Sequence, residues 1–285
     1  TGNLVIPDAT TSIGNYCFTS CTFNGTLTLG NGLQTIGESA FGGNQSLVGD
    51  LTIPVTVTSL GASAFSGNVG FNRHLTIDSG INIPFACFYD CRNFSKLTIA
   101  EGVNIIGESA FENLSSITGN LKLPNSITSI GARAFFGCSK IDGYLSLGPN
   151  ITSIGDCAFV KSIDSEEIIQ EKEKLSTDPD MDYYDRIIYD DTYYSAIFSK
   201  IYIQSSLPPT ITIKSFGLKE TTISDKRFIK REIVERQPGW SRKRQYDIYN
   251  AYRYRGSYPN HLIVPTGCTA NYSDWEVDLI EEVDF

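Results

Sequence analysis

Few side chains in this 285-residue sequence could do chemistry. There are two histidines, His74 and His261, so imidazole general-base catalysis has at most two starting points. Neither stands in a recognisable pattern with a Ser or Cys nucleophile. Seven cysteines are present, an odd number and too sparse for a disulfide scaffold. Cys17 with Cys21 and Cys87 with Cys91 are spaced four apart, and without a nearby His they make a poor zinc site. The run Asp178-Pro179-Asp180-Met181-Asp182 invites a calcium reading. It fails the helix-loop-helix template, because Tyr183 stands where Gly is needed and Tyr189 where a bidentate Glu is needed. A looser calcium site and a plain solvated acidic loop both stay open. The expectation from these residues is no catalytic group, no metal and no cofactor.

A second cluster could bind rather than react. Arg242, Arg244, Tyr246, Tyr249, Tyr252, Arg253 and Tyr254 form a basic, aromatic run. Tyr offers large contact area with little rotamer loss, and Arg pairs with carboxylates or stacks on rings. The competing reading is that these tyrosines pack on neighbouring structure and the arginines answer an acidic insert.

The elements that must position these groups are set by a repeat. Leu-x-Ile or Leu-x-Leu recurs at Leu27, Leu51, Leu75, Leu97, Leu121 and Leu145, and Leu4-Val5-Ile6 begins the series. The start-to-start spacings are 23, 24, 24, 22, 24 and 24. Each run is followed by Ser-Ile-Gly or a close variant, with Ile83-Pro84 the departure. An Ala-Phe or Cys-Phe element then ends at Phe18, Phe41, Phe65, Phe88, Phe111, Phe135 and Phe159. Three elements in phase over seven copies define a solenoid.

In Leu51-Thr52-Ile53 the apolar positions point inward and Thr52 outward, as a period-two strand requires. Seven stacked coils should give one sheet roughly 34 Å wide at about 4.8 Å per strand. The glycine after each Ile is expected to supply a turn conformation that a side chain would obstruct. The Phe residues should form an aromatic spine. Cys17 and Cys87 replace the Ala before the repeat Phe, Cys157 lies in the same element, and Cys21, Cys91 and Cys138 follow that Phe by three. Buried free thiols behaving as small hydrophobes are expected there. Glu38 and Glu108 share a repeat position but sit three coils apart, roughly 14 Å, too far to act as a catalytic pair.

Bulk properties narrow the partners. The net charge of −9 argues against nucleic acid, which needs clustered Lys and Arg. No apolar run is long enough for a transmembrane segment. Thr1-Gly2-Asn3 reads as the middle of a repeat, so a mature or trimmed chain is expected, with any export signal outside it.

Written from this chain as LKLPNSITSIGARAFFGCSKI (Leu121 to Ile141), the pattern resembles the BspA-type class of leucine-rich repeats. That class occurs in surface proteins of Bacteroides-like bacteria and in some treponemes and protozoan parasites. The resemblance covers residues 1 to about 160, resumes at Ile201-Tyr202-Ile203, and returns at Leu262-Ile263-Val264-Pro265. The expected architecture is a mainly β leucine-rich-repeat solenoid. Residues 1–160 form seven repeats, 161–200 an acidic Tyr-containing insert, and 201–217 a broken eighth repeat. Residues 218–261 form a basic Tyr-rich insert, and 262–285 a cap over the open sheet edge. The two inserts have opposite charge and could fold together as one lobe, or stand as separate loops.

The resemblance implies an extracellular or cell-surface protein, with outer-membrane anchoring through a removed signal as one option. It also implies adhesion to a host matrix protein, a bacterial surface protein or a glycan. The outward residues of the strand row are the expected contact surface: Asp50, Thr52, His74, Thr76, Lys96, Thr98, Asn120, Lys122, Tyr144 and Ser146. A structural spacer that displays another domain is the alternative, and a glycan-active enzyme with its site at the inserts is a third.

Overall fold

A computed structural model describes residues 2–162, 194–196, 200–204, 210–211, 261–265 and 279–283. The chain winds as a series of coils built from two rows of short parallel strands. The first row is β1 (Leu4–Val5), β3 (Leu27–Thr28), β5 (Gly49–Ile53), β7 (Phe71–Ile77), β8 (Lys96–Ile99), β10 (Leu121–Lys122), β12 (Leu145–Leu147), β16 (Lys200–Ile203), β18 (His261–Pro265) and β19 (Leu279–Val283). The second row is β2 (Ser12–Ile13), β4 (Thr35–Ile36), β6 (Ser59–Leu60), β9 (Ile105–Ile106), β11 (Ser129–Ile130), β13 (Ser153–Ile154) and β17 (Thr210–Ile211). Among the described residues there is no helix.

Alternation fixes what each strand buries. Leu51 and Ile53 are wholly buried and Thr52 between them is exposed, and Leu75 and Ile77 repeat the pattern around Thr76. The first row is not one continuous ladder, as the sequence suggested. It is hydrogen-bonded in three parts: β1-β3, β5-β7-β8, and β10-β12-β16-β18-β19. The Ser-Ile element is itself a strand, so a second wall of parallel pairs, β2-β4-β6 and β9-β11-β13-β17, runs beside the first. In coil four, where Ile83-Pro84 replaces Ile-Gly, a single bridge from Ile83 to Ile106 stands in for that strand.

After coil seven, β14 (Val160–Ser162) pairs antiparallel with β15 (Tyr194–Ala196), and the chain rejoins the first row at β16. Strand β18 lies between β16 and β19, so the outermost strand is Leu279–Val283. The acidic run 178–182 and the basic run 242–254 lie outside the described residues.

The interior centres on the repeat Phe. Phe18, Phe41, Phe65, Phe88, Phe111, Phe135 and Phe159 form one column with centroid separations of 5.1–5.5 Å. A shorter stack joins Phe71 to Phe94 at 5.4 Å. Each column member is delivered by a tight turn whose residue two before the Phe is left-handed. These are Tyr16, Ser39, Ser63, Ala86, Ser109, Arg133 and Cys157, with φ between 48° and 57°. None is glycine, although this conformation disfavours side chains.

The glycines after the second-row Ile have another purpose than the one expected. A Cβ on Gly61 would stand 2.3 Å from the Glu38 nitrogen, and one on Gly131 2.4 Å from the Glu108 nitrogen. Close stacking on the preceding coil excludes a side chain there, rather than an unusual φ.

At four coils the position three after the Phe, Asn44, Asn68, Cys91 and Cys138, carries a donor as well as bulk, whereas Leu114 supplies bulk alone. Asn44 Nδ2 donates to the carbonyls of Phe18 and Phe41, both at 2.7 Å. Asn68 Nδ2 donates to those of Phe41 and Phe65, and its Oδ1 accepts the Asn44 N–H at 2.7 Å. Cys91 Sγ donates to the Phe65 carbonyl at 3.0 Å and Cys138 Sγ to that of Phe111 at 3.3 Å. These thiols therefore continue an asparagine ladder and are more than small hydrophobes. Cys87, Cys91, Cys138 and Cys157 are buried, whereas Cys17 is exposed and Cys21 only partly buried. Cys268 lies outside the described residues.

Candidate sheet-face binding surface

The ten residues expected on the first-row face are all exposed or partly exposed. Their register is set by the inward leucines. Thr52 pairs with Thr76 and Thr76 with Thr98, while His74 pairs with Lys96. Across the break, Lys122 pairs with Ser146, and Ser146 with Tyr202. The surface therefore falls into two patches, Asp50 to Thr98 on β5-β7-β8 and Asn120 to Ser146 on β10-β12.

Within these patches not every side chain is free for a partner. Asp50 Oδ1 accepts the His74 backbone N–H at 3.0 Å, and Asn120 Oδ1 accepts that of Tyr144 at 3.1 Å. Asn3 does the same for Thr26 at 3.0 Å. A short polar side chain just before a strand thus extends the parallel ladder by one bond. Asp50 and Asn120 hold coils together, which outward position alone does not reveal. His74 Nε2 lies 2.8 Å from Thr98 Oγ1, so Asp50, His74 and Thr98 are linked across three strands. In the second patch the Lys122 ammonium sits 5.9 Å from the Tyr144 ring centroid, within cation–π reach.

The other candidate chemistry is dispersed. Glu38 accepts a hydrogen bond from the Tyr16 hydroxyl, and that bond together with the carboxylate charge raises the Tyr16 phenol above its ordinary range. No group of three His, Cys, Asp or Glu side chains suited to a metal ion occurs among the described residues. Among them, too, no helix is long and apolar enough to cross a membrane. Burial pushes the Cys91 and Cys138 thiols up to about 12 and that of Cys87 well above its ordinary value. Such thiols are protonated and inert at neutral pH.

One contact had no sequence signal. Arg133 grips the nearly buried Glu112 with Nη2–Oε1 at 2.5 Å and Nε–Oε2 at 3.0 Å, and its guanidinium lies 4.0 Å from the Phe136 ring centroid. Glu112 and Arg133 are 21 residues apart, and only the coil geometry brings them together. The paired, desolvated carboxylate braces adjacent coils beside the Phe column.

Two walls of parallel strands, an inner Phe column and a coil of 22–24 residues define a leucine-rich-repeat β-solenoid. The chain belongs to the BspA type leucine rich repeat family, whose model matches in six copies over residues 1–118 and 81–178. Among solved structures it is similar to a leucine rich cell surface protein from Faecalibacterium prausnitzii A2-165. That match has 20% identity and a TM-score of 0.28, and covers 53% of this chain and 55% of that one. The chain thus spans little more than half the length of that protein. It is also similar to the pneumococcal vaccine antigen PcpA, at 15% identity and a TM-score of 0.40, over 99% of this chain and 68% of that one. No curated protein sequence matches the chain.

Proposed function

We propose that this chain is a surface-displayed, adhesin-like binding protein that engages a protein or glycan through the first-row sheet face. The observation that carries this reading is a run of exposed and partly exposed polar side chains held in register over a leucine and isoleucine layer that is buried on β5 and β7 and partly buried on β8. Such a surface is ordered before the partner arrives, which lowers the entropy cost of binding. Mixed polarity is ordinary for interfaces that form and dissolve. Family membership supports an extracellular setting.

A spacer that displays other segments is the second reading. It is favoured by Asp50 and Asn120, whose side chains are spent on neighbouring coils. The test is a screen of the purified chain against host matrix proteins and a glycan array, beside the double variant Lys122→Ala, Tyr144→Ala. Binding lost in a variant with unchanged melting supports the sheet face. Binding that survives moves the site to the basic run Arg242 to Tyr254. No binding in either panel favours the spacer.

A further inference from the structure

Along the first row, lysine and histidine recur in backbone register in a chain whose net charge is −9. Both histidines of the chain fall on one register line. His74 pairs with Lys96, and Lys200 pairs with His261. Lys200 continues the line of Tyr144, because Leu145 pairs with Ile201. Lys122 stands on the adjacent outward line, beside Ser146. On these two lines from β5 to β18, Asp50 is the single carboxylate, and its Oδ1 is already engaged by the His74 N–H. Asp78 follows the end of β7, and Glu281 belongs to the outermost strand β19.

We propose that this face binds a linear polyanionic glycan, bearing carboxylate or sulfate groups, laid across the coils. The inference rests on the sheet-face reading above and names its partner. The lines run perpendicular to the strands, so a repeating polymer meets a repeating set of side chains. Lys96, Lys122 and Lys200 lie on β8, β10 and β16, steps of one and then two coils, with Lys122 set two residues (about 6–7 Å) along its strand from the other two. That density is too low for a nucleic acid, which carries a charge about every 1.7 Å along the duplex. Nor do the lines hold an arginine, the residue whose fork matches phosphate. Ahead of the lysines, on β5 and β7, stand the hydroxyls of Thr52 and Thr76, groups that can exchange hydrogen bonds with sugar hydroxyls, while Thr98 on β8 is bonded to His74. The Tyr144 ring beside Lys122 adds a flat apolar surface next to a cation.

The test uses the intact chain with heparin oligosaccharides, polygalacturonate, neutral dextran and a DNA duplex, titrated at rising salt. The comparison is the triple variant Lys96→Gln, Lys122→Gln, Lys200→Gln, with melting followed in parallel. The expected result is binding of heparin, polygalacturonate or both, weakened by salt and at least tenfold weaker in the triple variant. Dextran should not bind, and the two charged arms tell sulfate from carboxylate recognition. A second variant, with Arg at the same three positions, should keep the binding and guards against loss through misfolding. Failure of both charged glycans to bind, equal binding by the Gln variant, or DNA binding as tight as heparin would each overturn the proposal. Capture of a matrix protein that Tyr144→Ala abolishes and the Gln variant retains would also overturn it, while leaving the sheet-face reading intact.

Discussion

Three glycines in this chain occupy similar turns for different physical reasons, and substitution separates them. Gly61 has the Glu38 nitrogen 2.3 Å from where a Cβ would go, so Gly61→Ala must push two coils apart. Gly67 has room, with its nearest neighbour 3.7 Å away, but its φ is +73°. Gly67→Ala should cost only the left-handed penalty of about 1–2 kcal/mol. Gly14 meets nothing within 4 Å, so Gly14→Ala should be close to neutral. Urea unfolding of the three variants checks the order, and a Gly61→Ala midpoint above that of Gly67→Ala would contradict the stacking account. The thiols give a second residue-scale prediction. Cys87, Cys91 and Cys138 have raised values in the fold, by burial first, against an ordinary value of 9.0 in the open chain. Below about 9 both states are protonated and the stability is fully present. Above it the unfolded thiols ionise while the folded ones do not, so stability should fall as pH rises from about 9 towards about 12. A thermal melting series over that range, with Cys91→Ala as comparison, would show a smaller alkaline loss in the variant. An aromatic disulfide reagent at neutral pH should react with Cys17 while Cys87, Cys91 and Cys138 stay protected.

Among the elements, the first-row strands were legible because Leu-Thr-Ile alternates and recurs at a fixed interval. The second-row strands were not recognised as strands, since Ser-Ile is too short to show any alternation. Their nature is evident only when Ser129 and Ile130 are seen paired with Ser153 and Ile154. The breaks in the first row were hidden as well, because a ladder is a property of two coils and sequence spacing describes one. The same limit hid the bonds that Asp50 and Asn120 make to the next coil. An outward side chain and one bonded to the next coil's N–H have the same sequence signature. Asn120→Ala should therefore cost about 1 kcal/mol by orphaning the Tyr144 N–H, with faster hydrogen exchange at Tyr144. Asn68→Ala should cost more, about 2 kcal/mol, because it leaves the buried Asn44 N–H without its acceptor and takes one of two donors from each of the Phe41 and Phe65 carbonyls. Equal melting of the two variants would sink the ladder interpretation. Asn68→Cys should recover part of the loss, since Cys91 fills the equivalent position with one donor.

Across the whole molecule, the aromatic column acts as the axis on which coils are threaded. Phe65 is wholly buried between Phe41 and Phe88, at 5.2 and 5.5 Å, while Phe18 at the first coil is only partly covered. Phe65→Ala should destabilise by about 3–5 kcal/mol and Phe18→Ala by distinctly less. Equilibrium unfolding compares them, and equal losses would mean the column does not transmit burial as described. The left-handed turn two before each Phe has a further consequence, for how such a protein can change length. A block the size of one coil, such as residues 121–144, begins and ends at the same phase of the turn. Copying or deleting it whole leaves every remaining residue facing the same way. A residue added inside a strand would turn that strand's remaining side chains to the other face, whereas the loops already absorb coils of 22 to 24 residues in register. Heredity can therefore adjust the reach of this molecule in whole steps at little risk, in the manner of a ruler cut at its marks.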